Sequence, residues 1–192
     1  MIEVYAIADH PGPPLPDGAA GLRAVPVGRL AAICGAVQER DVSPDALWTH
    51  EEVVEGLMAS RDLLPVRYGT RLPDDARVTT AVAERHDVLL AALDRVRGAA
   101  ELALRVAAPP ETPAPADAAR RVHVALASQA RASTVLDARE SADVLRAAYL
   151  VRRADSEAFT AAVAGQQRAH PGLRLLCTGP WPPYHFVGEK TE

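Results

Sequence analysis

Leu22-Arg23-Ala24-Val25-Pro26-Val27-Gly28-Arg29-Leu30-Ala31-Ala32-Ile33-Cys34 consists of two short apolar runs that break at Gly28. This is the pattern of an antiparallel hairpin. Before it, Ile2-Glu3-Val4-Tyr5-Ala6-Ile7 alternates and predicts a first strand, and the Pro- and Gly-rich stretch from His10 to Gly21 predicts a loop. Three strands in succession, with no helix between them, favour an α+β chain over a doubly wound parallel sheet.

Downstream, Ser43-Pro44-Asp45 combines a hydroxyl cap, a first-turn proline and an acid. It predicts a helix to about Arg61 whose inward stripe is Leu47, His50, Val54, Leu57 and Met58. Leu63 to Thr70 is too short and too broken by Pro65 for a helix, and reads as an edge strand or extended connection. Pro73-Asp74-Asp75 opens a second long helix that ends at Gly98. Its stripe of Val78, Val82, Leu89, Leu93 and Val96 is interrupted at Arg85 and His86. Glu101–Val106 alternates as a strand. Residues 108–115 hold four prolines and form a linker or exposed loop. A third helix capped by Asp117 is expected to about Ala132, then a strand Val144–Arg152, a helix Asp155–Ala169 and a last strand through Leu173, Leu175 and Cys177. This second half has the order of a split βαβ, ferredoxin-like sandwich lacking one strand. The expectation is two α+β domains. Residues 1–97 form the first; residues 98–192 form a modified ferredoxin-like domain with a Pro-rich loop at 108–116 and a tail at 179–192. A boundary within 108–115 is the alternative.

The chain has 192 residues, is 48% hydrophobic and carries a net charge of −4. Wholesale disorder is excluded, and nothing in the charge suggests a nucleic-acid binder. Arginine outnumbers lysine twenty to one and asparagine is absent, which codon usage in a GC-rich genome explains. Two cysteines without a CxxC encode neither a disulfide scaffold nor a zinc cluster. The opening Met1-Ile2-Glu3-Val4 has no basic or apolar leader, and no apolar run is long enough to span a bilayer. A cytoplasmic protein is predicted.

Tests for catalysis fail one after another. Neither GxxxxGK[ST] nor GxGxxG is present, and no GxSxG elbow occurs. His50-Glu51-Glu52-Val53-Val54 starts like HExxH but puts valine where the second histidine must stand. His50 therefore reads as a polar member of a core stripe. The six histidines lie on different elements with no i, i+4 pair. Cys34 and Cys177 sit in apolar strands as small hydrophobes. Glu51/Glu52 and Asp74/Asp75 read as solvated helix charges. No catalytic, cofactor-binding or metal-binding residue is expected.

Two segments remain. Leu64-Pro65-Val66-Arg67-Tyr68-Gly69-Thr70 cannot be a regular helix. Gly179-Pro180-Trp181-Pro182-Pro183-Tyr184-His185-Phe186 gathers three of the chain's eight aromatics among three prolines. Such a segment is either a strap over the protein's own core or a rigid docking element. The first resembles the L-P-[VLM]-R-F-G-T segment of the gas vesicle GvpF/GvpL family, with Tyr68 in place of the commoner Phe. The second, with Thr178 before it, resembles that family's C-terminal TGPWPPYSF signature, with His185 in place of Ser. His50-Glu51 before Leu64 and Gly98-x-x-Glu101 match the family layout, and residues 11–20 and 108–116 look like its variable loops.

The resemblance implies a cytoplasmic accessory or minor structural protein of gas vesicle assembly, not an enzyme, with two α+β domains. It implies binding to the hydrophobic main shell protein and to other accessory vesicle proteins, with no nucleic acid, membrane or small-molecule ligand. A shell subunit with a large apolar face aggregates unless covered until it joins the wall, so strand addition or patch burial by this chain would serve nucleation. Contacts are expected at Leu64, Pro65, Val66, Arg67, Tyr68 and Gly69, and at Gly179, Pro180, Trp181, Pro182, Pro183, Tyr184 and Phe186. The rival reading is a small ligand-binding or regulatory ferredoxin-like module, which requires a compact polar pocket. A hydrolase or transferase would need two of His50, His86, His123 and Glu101 in one cleft.

Overall fold

The computed structural model describes residues 1–16, 21–37, 43–137 and 143–188. The chain groups into two compact units, Met1–Arg97 with Pro182–Glu192, and Gly98–Trp181. Both are α+β with antiparallel sheets.

In the first unit β1 (Ile2–Asp9), β2 (Leu22–Val27), β3 (Leu30–Ala36) and β4 (Leu63–Pro65) pair in the order β2-β3-β1-β4, and β5 (Arg71–Leu72) also pairs with β1. The β2–β3 hairpin forms as its sequence predicts. The β1–β3 register slips between Val4 and Ala6, leaving Tyr5 as a bulge residue. The slip resets which face each side chain takes. Glu3 and Tyr5 before it, and Ala6 and Ala8 after it, all lie on the side of α1 (Pro44–Met58). Val4 and Ile7 face the other side, toward α2 (Asp75–Ala83) and α3 (His86–Val96).

Ser43 caps α1 by accepting from the Ala46 N–H at 3.2 Å. Leu47, expected on the inward stripe, is exposed, while His50, Val54 and Leu57 are buried. The single long helix expected from Pro73 to Gly98 is two helices. Asp74 caps the first, and a turn at Glu84–Arg85 re-phases the chain so that Ala92, Leu93 and Val96 also reach the core. The interrupted stripe at Arg85 was the sign of this break.

In the second unit β6 (Ala99–Ala107), α4 (Pro115–Ala127), β7 (Ala132–Leu136), β8 (Asp143–Arg152), α5 (Ser156–Ala169) and β9 (Arg174–Trp181) follow one another as βαββαβ. The sheet order is β7-β8-β6-β9, antiparallel throughout. This is the complete ferredoxin-like order, so no strand is lacking. β7 was hidden because the third helix was expected to run to Ala132, whereas it stops at Ala127. Asp117 lies in the first turn of α4 rather than capping it; Ala114, at φ 43°, takes the cap position before Pro115. Leu102, Leu104, Val106, Ala147, Tyr149 and Val151 of the sheet close a core with Val122, Leu126, Phe159 and Val163 of the helices.

The tail divides between the units. Thr178–Trp181 belongs to β9, whereas Pro182–Gly188, with a 3₁₀ turn at Tyr184–Phe186, groups with the first unit. This differs from the expected second domain of 98–192, which includes the whole tail. Residues 17–20 of the predicted loop and 189–192 of the tail lie outside the described residues.

Candidate functional site

Leu64 and Pro65 are buried in β4, opposite Ile7 and Ala6 of β1. Pro65 has no N–H to give, which suits it to this edge. The next amide, that of Val66, donates to the Tyr5 carbonyl at 2.9 Å. The chain then leaves the sheet, exposes Arg67 and Gly69, and returns as β5. Gly69 adopts φ 82°, which turns its N–H onto Glu3 Oε1 at 3.3 Å. Thr70 ties the loop shut, its N–H and hydroxyl both donating to the Arg67 carbonyl.

Under this loop lies a polar interior. His50 Nδ1 meets Glu3 Oε1 at 2.9 Å and His50 Nε2 meets the Val66 carbonyl at 2.8 Å. The two side chains are only 1% and 4% exposed. A carbonyl can only accept, so Nε2 carries a proton. A carboxylate also only accepts, so an ionised Glu3 requires a second proton on Nδ1. The pair thus stands as imidazolium against carboxylate, or as the neutral tautomeric equivalent with the same proton count. Tyr5 stacks on the imidazole at 4.9 Å and Tyr68 meets it edge-on at 5.6 Å. Arg71, directly across the ladder from Glu3, brings Nε to 3.9 Å from Glu3 Oε2.

The residue after His50 holds the other segment. The Tyr184 hydroxyl donates to Glu51 Oε1 at 3.0 Å. Burial, and then the Glu51 charge, push the Tyr184 pKa far above that of an ordinary phenol, so it remains a donor. Pro182, Pro183 and Phe186 around it are buried. Adjacent residues of α1 therefore anchor both signature segments, His50 the first and Glu51 the second.

Gly179, Pro180 and Trp181 are not brought to this place; they end β9 in the second unit. The β6–β9 register slips there, and Gly179 takes φ 117° across a cis bond to Pro180. A Cβ on Gly179 would stand 2.7 Å from the Glu101 carbonyl oxygen, so this position admits only glycine. Trp181 is 41% exposed and donates to Thr178 Oγ1 at 3.2 Å. The open edge of β9 is capped nearby. Gln167 accepts from the Leu175 N–H and donates to the Leu173 carbonyl, both at 2.8 Å. Together with Pro180, these bonds occupy both ends of the β9 edge.

Of the expected contact residues, Leu64, Pro65, Pro182, Pro183 and Phe186 are thus interior, and Val66, Tyr68 and Tyr184 are half-buried. Arg67, Gly69, Gly179, Pro180 and Trp181 are exposed. The loop separates two recesses. One, of about 300 Å³, is lined by Glu3, Tyr5, Thr49, His50, Tyr68 and Arg71 with Ala36, Val37 and Ala46. The other, of about 180 Å³, is largely apolar: Val66 and Thr70 of the loop face Val4, Ile7, Leu72, Val78 and Val82. Sequence reasoning missed Glu3. Alternation along β1 puts Glu3 on the phase opposite Ile2 and Val4, and the slip at Tyr5 that sets it on the same side as Ala6 and Ala8 leaves no mark in the sequence.

His86 meets Asp87 at 3.1 Å and His123 meets Tyr149 at 2.9 Å, so the histidines have separate partners on separate elements. Burial raises the thiol pKa of Cys34 to about 11 and raises that of Cys177 as well. Among the described residues, no group of three or more His, Cys, Asp or Glu could hold a metal ion, and no helix is long and apolar enough to cross a membrane.

Two α+β units with antiparallel sheets, the second ferredoxin-like, define the class of fold to which this chain belongs. The solved GvpF structures from Microcystis aeruginosa and Anabaena have this fold, with TM-scores of 0.83 and 0.82 at 17% and 16% identity. Each match covers 97% of this chain, with 98% and 95% of the respective structures. Gas vesicle protein L of a Streptomyces strain is 32% identical across 98% of this chain and 93% of its own length. Gas vesicle protein F2 of Halobacterium salinarum is 29% identical across 89% and 83%. A sequence model of the gas vesicle synthesis protein GvpL/GvpF family matches residues 2–117 and 114–188. The chain belongs to that family and is a protein of gas vesicle formation.

Proposed function

We propose that this chain is a cytoplasmic accessory or minor structural protein that binds the hydrophobic main shell subunit of the gas vesicle and keeps it from aggregating during nucleation. It acts by binding rather than by catalysis, alongside other accessory vesicle proteins. The observation that carries this reading is the apolar recess whose wall includes Val66 and Thr70 of the first signature segment. Such a groove can take an aliphatic side chain that would otherwise drive shell subunits together. At β9, patch burial is favoured over strand addition, because Gln167 takes up part of its edge and the strand ends beside Pro180.

Co-expression with the same organism's shell protein tests the reading. The shell protein should stay soluble and co-purify with the wild-type chain, and should move to the pellet with Val66→Glu, which puts a charge into the groove. A shell protein that precipitates beside the wild-type chain sinks direct shielding. Capture that survives Val66→Glu sinks the groove as the contact.

A further inference from the structure

Among the described residues the two sheets end in four edge strands, β2, β4, β7 and β9. A bare edge is a template for another strand, and proteins blunt such edges with proline, charge or a bulge. Three of the four carry such a device. Pro26 stands in β2 and Pro65 in β4, while β9 has Pro180, the register slip beside it and the Gln167 bonds. β7 has none of these. Ala132-Ser133-Thr134-Val135-Leu136 contains no proline and no charge, and it pairs with β8 without a register shift. Thr134 and Val135 also suit a strand by their branching. Val135 lies opposite Ala147, on the face that the helices cover elsewhere, yet is 58% exposed.

The edge is complementary to itself. Two copies of β7 laid antiparallel about a two-fold axis at Thr134 set Ala132 against Leu136 and Ser133 against Val135, each pairing occurring twice. Thr134 then meets its own copy, and the two exposed Val135 side chains lie diagonally across the axis. The flanking charges complete the match: exposed Arg131 at one end falls opposite exposed Asp137 of the second copy at the other. A guanidinium has several N–H donors, so contacts within its own chain do not prevent Arg131 from facing this carboxylate as well. Moving the axis by one residue in either direction separates the charges, so the register is specific.

We propose that β7 pairs antiparallel with β7 of a second copy of this chain, joining the two four-stranded sheets across the axis at Thr134. Strands of five residues bury little surface, so the dimer is weak and forms as concentration rises.

Sedimentation velocity of the purified full chain, without shell protein, should show monomer passing to dimer over about a hundredfold rise in concentration. Thr134→Lys sets two ammonium groups against each other on the axis and should weaken the dimer about tenfold or more. Arg131→Asp and Asp137→Arg each place like charges at both ends, and each should weaken it too. Combining those two reversals restores opposite charges and should restore the dimer. All variants should keep the circular dichroism spectrum of the wild type, since the altered side chains lie along an edge. A wild type that stays monomeric at every concentration overturns the proposal and leaves the edge to a strand of another protein. A dimer that withstands Thr134→Lys, single reversals without effect, or a double reversal that fails to recover also overturns it. None of these readouts involves the groove at Val66, so this pairing and shell binding stand or fall separately.

Discussion

The two units solve the same packing problem with opposite interiors. In the second, sheet and helices close over aliphatic and aromatic side chains, and the Tyr149 hydroxyl is satisfied by one histidine. In the first, the sheet face beneath α1 begins as apolar packing at Ala6, Ala8, Val54 and Leu57. Past the Tyr5 bulge it turns into a buried carboxylate, an imidazole and two phenols. An apolar core fixes a fold through volume and shape and tolerates conservative exchange. A buried ionic network has directional requirements, because each group stripped of its partner is left in a low dielectric. The second unit therefore reads as scaffold, while the first holds a loop in one conformation: Val66, Gly69 and Thr70 are placed by hydrogen bonds to His50, Glu3 and Arg67.

The largest expected effect lies in the scaffold. Phe159→Ala empties space beside Tyr149, whose ring is 5.1 Å away, and should cost about 3–5 kcal/mol in urea unfolding followed by circular dichroism. A cost below about 1 kcal/mol would mean that the second unit's core is looser than its geometry. Glu3→Gln should cost less, about 1.5–3 kcal/mol, since the amide oxygen keeps an acceptor but loses the charge opposite His50. Its signature is local: hydrogen exchange at the Gly69 amide should quicken more than exchange in β6. Equal acceleration in both places would erase the contrast between the units.

The carboxy-terminal segment contains the same contrast in eight residues. Tyr184→Phe should cost about 1.5 kcal/mol by deleting a hydrogen bond to a carboxylate. Glu51→Gln should cost no more, and the two together should not add, because they share one interaction. Trp181→Ala, at an exposed position, should cost under about 1 kcal/mol. If it nevertheless abolishes capture of the shell protein, the indole is a docking contact. A large fall in stability makes Trp181 a strap instead.

Local chemistry made much of this legible. The β2–β3 hairpin, the Ser43 cap and the Gly28 and Gly98 breaks are written in residues that act within a few positions of themselves. What escaped depended on distant partners. The strand β7 is an edge with only one neighbour, so its five residues lack the long alternation of β6. The helix break at Glu84 appeared only as an interrupted stripe. His50 was rightly placed in the core, but a single sequence could not pair it with Glu3, because a slip at Tyr5 decides which face Glu3 shares with α1. For the same reason the carboxy-terminal segment stays open between two readings in sequence: prolines and aromatics mark both a strap and a docking element, and only burial separates Phe186 from Trp181.

The smallest expected effect returns to a polar contact in the scaffold's core, that of His123 with Tyr149. Burial lowers the pKa of His123, which packs against the inaccessible hydroxyl of Tyr149. Burial also pushes the Tyr149 pKa far up, so its O–H persists and donates to a neutral His123 Nδ1. Protonating that nitrogen would face one donor with another. In the unfolded chain His123 binds its proton near pH 6.5, while in the folded chain it does so only at lower pH. Between those two values the unfolded state holds more protons, so stability must rise with pH there and be flat in this contribution above about 6.5. The urea midpoint of the wild type should therefore fall between pH 7 and pH 5 more steeply than that of His123→Gln, which has no proton to gain. Parallel curves would mean that water reaches the imidazole, and that the second unit's interior is wetter than the packing of Tyr149 on Phe159 implies.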